Sequence, residues 1–287
     1  MEIVIADEVQ TDQRKYPTRP GLTRTQPLMS CEAPDGLSFR LVRSLYQGGD
    51  NAFETPRHHH MFQQIRFAED GLLNFAPGHD ISKGDIAYFP RGTYYGPQKR
   101  DHGIGLTVQF GFGHEMLGGK DALRVYAEGV ERLRAFGTVG NGVFIDTDPV
   151  TGQERVRDTW QAVTEEITGE KFDFPAEGYA APILMHPAAY EYYQAAPWVE
   201  IKCFGSFYDH PGPQADVRLS MLRLSDGGTY RLGTERAQLA WALPTGLAID
   251  GRAYPERTCV YSPRDEDTVL SAAGSVEVYL VEFPRLD

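Results

Sequence analysis

Two histidines separated by a single residue are the first spacing in this chain that could support chemistry. His58 and His60 lie in the run RHHHMFQQIRF, and Gln64 follows four residues after His60. Side chains two positions apart share a face of a β-strand, so His58, His60 and Gln64 point one way and His59 the other. Neutral imidazole ligates Zn, Fe, Ni, Cu and Mn, and an amide oxygen is either a weak further ligand or a hydrogen-bond partner. The spacing therefore predicts a transition-metal site or a polar ligand pocket.

The segments that must position these residues have the pattern of short β-strands. Gly, Pro and Asp separate runs rich in β-branched and aromatic residues: MFQQIRFA, GLLNFAP, DIAYFP and GLTVQFGF. Similar runs of β-branched and aromatic residues occur again toward the C-terminus, in VRLSMLRL, QLAWAL, TCVYSP and SVEVYLVEF. Many short strands with turn residues between them indicate a sandwich or a barrel.

The middle of the chain has the periodicity of two amphipathic helices. Apolar residues recur at steps of three or four before Gly137 and again before Gly169: Leu123, Tyr126, Val130, Leu133 and Phe136, then Val156, Trp160, Val163 and Ile167. A glycine just past the last periodic residue is a typical end of a helix. The aromatic residues of these helices either pack internally or cover the mouth of a barrel.

Two β segments resemble each other at a nearly constant offset. AYFPRG at 87–92 matches VYSPRD at 260–265, which places Pro90 and Pro263 173 positions apart. Gly71-Leu72 and Gly246-Leu247 match at an offset of 175. Two nearly equal offsets predict a duplicated β module with the helices between the copies.

The stretch from 55 to 97 resembles the two sequence motifs of the cupins. The matching scaffold and histidine positions are His58, His60, Gly71, Gly84, Pro90 and Gly92. The glycines suit turns with positive φ, and the proline fixes φ at its turn. The chain departs from the motifs at two metal ligands, because Gln64 stands in place of the glutamate and Tyr95 in place of the third histidine.

The resemblance, extended by the duplication, implies a two-domain bicupin. The expected fold is all-β, with two double-stranded β-helix barrels and a two-helix insertion between them. The expected boundaries are 1–37 for an extended N-terminal arm, in which Ile3–Ile5 can form a short strand, and 38–113 for the barrel with the site. Residues 114–197 are expected to form the helical insertion and linker, and 198–287 a degenerate C-terminal barrel. No histidine follows His210, so no metal site of the cupin type is expected in that second barrel.

The resemblance also assigns roles to individual residues. The predicted metal ligands are His58, His60, Gln64 and His102, the last as a substitute for the missing histidine. Tyr95 and Gln64 are the predicted catalytic residues, with Tyr95 a proton donor or a phenolate ligand. The predicted substrate contacts are Phe62, Tyr88 and Gln109. The implied cofactor is a divalent transition metal (Fe, Mn, Ni, Zn or Cu), or none, since replacing Glu by Gln removes a negative charge from the ligand set.

Three functions follow from this site. The first is a metal-dependent enzyme, a non-haem dioxygenase or other oxidoreductase acting on a small organic acid, phenol or diketone. The second is a metal-assisted lyase or isomerase that uses the same residues. The third is a metal-free bicupin that binds a small molecule or has a structural role, with Gln64, Tyr95 and Gln109 as hydrogen-bond partners of the ligand.

Charge and composition narrow the partners and the compartment. The net charge of −12 disfavours nucleic acid and anionic membrane surfaces, because both need clustered basic residues. Three widely spaced cysteines indicate no disulfide framework. The N-terminus has no secretory pattern, and no window is apolar enough for a membrane span. We therefore expect a cytoplasmic protein that acts on a small molecule. The bicupin resemblance implies a homodimer paired through sheet edges, and the long polar N-terminal arm suits such pairing.

Overall fold

The computed structural model describes residues 1–14, 18–117, 121–171, 179–225, 227–243 and 245–286. They divide into two compact units. One is Thr11–Leu184, whose barrel we call the first barrel, and the other combines Met1–Gln10 with Met185–Asp287 and contains the second barrel. No helix in the described ranges is long and apolar enough to cross a membrane.

Strands dominate both units. In chain order they are β1 (Glu2–Ile5), β2 (Asp12–Arg14), β3 (Thr23–Glu32), β4 (Leu37–Tyr46), β5 (Phe53–Thr55), β6 (Gln63–Ala76), β7 (His79–Ser82), β8 (Ile86–Phe89), β9 (Gln98–Arg100), β10 (Gly103–Phe112), β11 (Thr138–Gly140), β12 (Val143–Thr147), β13 (Glu154–Asp158), β14 (Ile183–Met185), β15 (Tyr193–Ala196), β16 (Val199–Tyr208), β17 (Asp216–Leu224), β18 (Thr229–Arg231), β19 (Gln238–Ala242), β20 (Leu247–Ile249), β21 (Arg252–Tyr254), β22 (Thr258–Ser262), β23 (Val269–Ser271) and β24 (Val276–Glu282). The two α-helices are α1 (Ala122–Leu133) and α2 (Thr159–Thr168).

The two large sheets have the same topology. The first has the order β14-β8-β6-β10-β4-β3-β2, and the second has β1-β22-β19-β24-β17-β16-β15. Smaller sheets accompany them, β5-β9 in the first unit and β18-β23-β20-β21 in the second. Pro90 directly follows β8 and Pro263 directly follows β22, which hold equivalent places. The duplicated all-β fold with two barrels and a two-helix insertion is thereby confirmed.

Both helices form where the apolar periodicity predicts them. Tyr126, Val130 and Leu133 of α1 pack with Ala162 and Val163 of α2 in one buried cluster. Gly169 ends α2 in the left-handed conformation with φ of 74°, which glycine adopts without steric cost. The second helix starts later than its pattern indicates, because Val156 lies in β13 and Asp158 is the N-cap.

The segment 1–37, expected as an extended arm with a short strand at Ile3–Ile5, contains β1, β2 and β3 of the two large sheets. Within the second unit, β1 pairs antiparallel with β22, and within the first unit β3 pairs with β4 along its length. The prolines that suggested an extended arm are compatible with a sheet, since Pro27 lies at a shift in the register of β3. The predicted linker 175–197 is also partly a strand, because β15 pairs with β16; residues 175–178 lie outside the described ranges.

The interiors of the two barrels differ in chemistry. One core cluster of the second barrel consists of aliphatic side chains: Val199, Leu222, Leu224, Leu232, Ala240, Ala242, Leu247, Ile249, Val260, Leu270, Ala272, Val276, Val278 and Leu280. Burial of each large aliphatic side chain is worth about 1.5–3 kcal/mol. The corresponding cluster of the first barrel contains Tyr46, Phe89 and Tyr95, whose polar or π-electron groups can meet charged partners. The first barrel therefore carries the groups that a site needs.

Candidate functional site

His58, His60 and Tyr95 come together just before β6. A pair of backbone hydrogen bonds, each 3.0 Å long, holds His58 opposite Tyr95. The ring centroid of His58 lies 4.3 Å from that of Tyr95 and 5.0 Å from that of His60. Both histidines are buried, with 2% and 8% of their surface exposed. The spacing in the sequence thus brings these three side chains into one cluster.

His59 faces a different environment, as the alternation predicts. Its ring stacks on that of Tyr94 with the centroids 4.1 Å apart. Its Nε2 lies 3.4 Å from Oε1 of Gln161 on α2. His59 therefore joins the barrel to the helical insertion and does not complete a histidine triad.

A hydrogen-bonded network connects Tyr95 to β6 and β10. Gln64 Nε2 donates to the Tyr95 hydroxyl over 2.7 Å, and Gln109 Nε2 donates to Gln64 Oε1 over 3.3 Å. Arg66 Nη2 donates to both oxygens, the Tyr95 hydroxyl and Gln64 Oε1, over 3.1 Å each. The strand register places Gln109 directly beside Gln64, and Arg66 shares their face two residues later.

Gln98 joins Arg66 to a second buried arginine. Gln98 Oε1 accepts from Arg66 Nη1 over 3.1 Å and from Arg100 Nη2 over 2.7 Å. Arg100 also donates to the hydroxyl of Tyr46 and lies 4.7 Å from the centroid of that ring. The Arg66 guanidinium lies 4.2 Å from the centroid of Phe89. Two guanidinium groups thus share one neutral amide oxygen.

Burial controls the charge of the site. Loss of hydration lowers the pKa of His58 well below its ordinary value, and the Arg19 charge lowers it further. Burial does the same to the pKa of His60. His58 Nδ1 lies 2.8 Å from the carbonyl oxygen of Pro56, which can only accept, so Nδ1 carries the hydrogen and Nε2 the lone pair. Burial also lowers the pKa of Arg66 to about 10, so that it remains charged at neutral pH.

The helical insertion contacts the site through aromatic rings. His60 stacks on Phe62 with the centroids 4.4 Å apart. Trp160 of α2 meets each of these rings edge-on at 5.8 Å, and Tyr126 of α1 stacks on Trp160 at 5.1 Å. Trp160 Nε1 and His60 Nδ1 are buried without a hydrogen-bond partner in the structure described. These two atoms are therefore available to a bound molecule.

His102, the predicted substitute ligand, takes no part in the contacts described for the histidine cluster. It is exposed in the turn between β9 and β10, and its carbonyl oxygen accepts from Leu72 N over 3.3 Å. Its side chain helps to line an open groove of about 1020 Å³, which Thr55 and Gln98 also border. The short turn into β10 carries His102 past the edge of the sheet.

Tyr88 also lies outside the cluster, contrary to prediction. It is fully buried, and its hydroxyl donates to Gln63 Oε1 over 2.6 Å. Gln63 and Tyr88 point to the face of the sheet opposite to Gln64 because neighbouring residues alternate. The residue of β8 that reaches the site is Phe89, whose ring lies 4.7 Å from that of Tyr95.

Sequence reasoning missed the arginines, although one signal was present. Arg66 continues the series His58, His60, Phe62, Gln64 by two residues, so the same alternation places it on the same face. Gln98 and Arg100 had no such signal, because β9 is distant in sequence from the site residues of β6 and its pairing with β5 has no local pattern.

The residues present do not fit a divalent metal ion. Catalytic metals in proteins usually have three protein ligands, and no group of three His, Cys, Asp or Glu side chains suited to one ion occurs in the described ranges. The two further oxygens predicted as ligands, Gln64 Oε1 and the Tyr95 hydroxyl, are both bonded to Arg66. A guanidinium at this distance repels a dication.

The second barrel offers no counterpart to the site. In both large sheets the residue before the matched proline pairs with a glutamine, Gln64 in the first and Gln238 in the second. Two positions further on, the first sheet has Arg66 whereas the second has Ala240 in its aliphatic interior.

Comparisons with known proteins identify the fold. No family model and no curated protein matches the sequence. A Nostoc punctiforme protein provisionally assigned as a dioxygenase matches 99% of this chain over 83% of its own, with a TM-score of 0.60 and 10% identity. A variant of Bacillus subtilis oxalate decarboxylase matches 99% of this chain with 77% of its own length, at a TM-score of 0.55 and 11% identity. Another structure of that decarboxylase, described for its Mn(II) centres, matches 99% of this chain with 78% of its own length, at a TM-score of 0.53 and 12% identity.

These likenesses extend over nearly the whole chain and include both barrels. They agree with the duplicated sheet order and with the motif scaffold between 55 and 97. The chain therefore has the bicupin fold, in which one polypeptide forms two cupin barrels.

Proposed function

We propose that the first barrel binds a small organic molecule and catalyses proton transfer on it, as a lyase or an isomerase. One observation carries this proposal. The Tyr95 oxygen accepts hydrogen bonds from Gln64 Nε2 and Arg66 Nη2, and both groups can only donate. The phenolic hydrogen of Tyr95 is then left for the bound molecule. A positioned O–H donor in a buried site acts as a general acid.

His58 is the complementary base in this proposal. Its tautomer leaves Nε2 with a lone pair, and burial keeps the imidazole neutral by lowering its pKa. Tyr95 gives a proton to a carbonyl or leaving-group oxygen, while His58 Nε2 removes one from the adjacent carbon. Gln64 orients the phenol, and Gln109 orients Gln64. Phe62 and Trp160 exclude water around His60.

Replacement of Tyr95 by Phe tests the acid role. We expect Tyr95→Phe to slow hydrogen–deuterium exchange at the carbon of a turned-over substrate by about 100-fold or more, since general acids contribute at least that much. Proton NMR in D₂O with a panel of hydroxy acids, keto acids and diketones measures this exchange. Tyr88→Phe is the matched control, because it removes a buried hydroxyl from the opposite face. Equal exchange rates in wild type and Tyr95→Phe would refute the assignment.

A metal-dependent dioxygenase or oxidoreductase is the second candidate. The adjacent imidazoles of His58 and His60 favour it, as does the likeness to the provisionally assigned dioxygenase and to the enzyme with Mn(II) centres. Metal analysis after expression with Fe, Mn, Ni, Zn and Cu separates the candidates. One retained equivalent that is lost in the His58→Ala, His60→Ala double variant, together with oxygen uptake, would replace our first proposal. Binding of a panel compound without exchange or oxygen uptake would indicate a binding protein.

A further inference from the structure

Two arginines are buried in the first barrel with no carboxylate partner among the residues that the structure describes. Arg66 is 6% exposed and Arg100 is 5% exposed. The oxygens that accept their hydrogen bonds are all neutral amide or phenol oxygens: Gln64, Gln98, Tyr46 and Tyr95. Arg100 Nε is buried and has no partner in the described part of the chain. Within the described ranges, neither guanidinium group therefore meets a carboxylate.

The other deeply buried arginines in the described ranges are paired with carboxylates. Arg43, 8% exposed, forms a two-pronged ion pair with Glu69 at 2.6 and 2.8 Å. Arg236, 5% exposed, is paired with the fully buried Asp216. This chain thus compensates a buried guanidinium where its role is structural, and it does not do so at Arg66 and Arg100.

The missing compensation has an energetic consequence. Removing an ion from water is costly unless an opposite charge meets it, and a second like charge nearby adds repulsion. Arg66 and Arg100 share Gln98 Oε1, so the two positive charges are neighbours. A bound anion would remove both penalties, and planar guanidinium groups match carboxylate and phosphate oxygens in geometry.

We propose that Arg66 and Arg100 form the recognition site for a compact dianion, either a dicarboxylate or a phosphorylated organic acid. The inference rests on the proposed function, since it names the class of molecule on which Tyr95 and His58 act. An acidic group held by Arg66 places the adjoining carbon atoms beside the Tyr95 hydroxyl, to which Arg66 is bonded. Gln98 borders the open groove of about 1020 Å³, so the arginine pair lies one side chain from a surface opening.

Substitution of Arg66 by Met separates a ligand-binding arginine from a structural one. Each acceptor of Arg66 keeps a second donor after the change, since Tyr95 keeps Gln64, Gln64 keeps Gln109 and Gln98 keeps Arg100. We expect the unliganded variant to melt at the wild-type temperature or higher. We expect its affinity for the preferred dianion to fall by about 30-fold or more, as when one partner of a buried charge pair is truncated.

Arg43→Met is the matched control, because it removes a buried guanidinium that is already paired with Glu69. We expect it to lower the melting temperature and to leave the dianion affinity of the folded protein unchanged. Arg100→Met is the second test variant and should weaken the dianion in the same direction as Arg66→Met. A melting temperature that falls in both Arg66→Met and Arg100→Met as it does in Arg43→Met would assign them a structural role and overturn the proposal.

A charge series of ligands completes the test. Calorimetry compares succinate, butyrate and succinamide, with phosphoglycolate as the phosphorylated arm. We expect both dianions to bind at least about 30-fold more tightly than the diamide. If succinate binds more tightly than phosphoglycolate, the ligand is a dicarboxylate; the reverse order indicates a phosphorylated acid. Equal binding of the diamide, or no binding of either dianion, overturns the inference. Deuterium exchange is measured separately from binding. Dianion binding without exchange would contradict the proposed function and leave the dianion site standing. Exchange on neutral compounds would contradict the dianion site and leave the proposed function standing.

Discussion

Arg66 holds the two oxygens that the cupin resemblance assigned to a metal ion. Gln64 has lost the negative charge of the motif glutamate, and Tyr95 has replaced a neutral imidazole by a phenol. The guanidinium donates to both. An organic cation and a metal dication at the same oxygens would repel each other, so the network of hydrogen bonds and the metal centre are alternatives. The chemistry of this site therefore depends on one residue outside the motif.

The buried histidines make stability depend on pH. Burial lowers the pKa of His58 and of His60, so the folded chain keeps both neutral, whereas an unfolded histidine takes up a proton near pH 6.5. Below that pH the unfolded state binds more protons. The free energy of unfolding should then fall by up to about 1.4 kcal/mol per pH unit for each histidine. Urea denaturation between pH 8 and pH 5 measures this loss.

His60→Gln should flatten that dependence, because it removes one of the two groups. His79→Gln is the control, since His79 is exposed on β7. An unchanged slope in His60→Gln would show that His60 does not titrate as its burial requires. The charges of Arg19 and Arg66 also lower the pKa of both histidines, in the same direction as burial, so they do not alter the sign.

At the level of elements, β6 and α2 build the site together. β6 brings Gln64 and Arg66 to one face, and α2 brings Trp160 against His60. The position of α2 depends on its close approach to α1 at Gly129. A methyl group built there would lie 2.6 Å from Val163 Cγ1 on α2. A glycine far from the chemistry therefore controls how α2 covers the site.

Gly129→Ala should destabilise the helical insertion in spite of the better helix propensity of alanine. The gain in propensity is about 1 kcal/mol, whereas overpacking a close contact costs about 1–3 kcal/mol. Thermal melting should show a lower melting temperature, and Trp160 fluorescence should change as its ring leaves His60. Gly140→Ala is the control, because no atom lies within 4 Å of the added methyl. Equal melting temperatures for the two variants would argue against this account.

At the level of the whole molecule, duplication has produced two barrels with different interiors. The first keeps arginine, glutamine and tyrosine at the positions that form the network. The second has Ala240 where the first has Arg66, and Ala240 lies in an aliphatic core cluster. We infer that the second barrel contributes stability to the chain and no chemistry. The homodimer remains a prediction, although the N-terminal arm that favoured it is part of the sheets.

Leu280→Ala tests this division of roles. Leu280 is 1% exposed in the core of the second barrel, and truncation of a buried leucine costs about 2–5 kcal/mol. We expect chemical denaturation to show that loss, whereas exchange per folded molecule at low temperature should match wild type. A folded Leu280→Ala protein with reduced exchange would show that the second barrel takes part in the chemistry.

Much of the fold could be predicted because its signals are local. The match between the Pro90 and Pro263 segments revealed the duplication, and apolar spacing located both helices. Alternation separated His59 from its neighbours. A short strand at Ile3–Ile5 was predicted, but its place in the second sheet was not, because β1 finds its partner β22 near the other end of the chain. Pairing over that distance depends on the folded chain and has no local signature.

The same distinction holds for the site. Residue types and motif spacing were sufficient to bring His58, His60, Gln64 and Tyr95 into one hypothesis, since alternation and turn geometry act over a few residues. The folded chain was needed to show that Arg66 meets Gln98, 32 positions along the chain, and through it Arg100. It was also needed to show that neither arginine meets a carboxylate in the described ranges, whereas Arg43 and Arg236 do. Charge compensation depends on which side chains become neighbours in three dimensions, and spacing along the chain does not encode it.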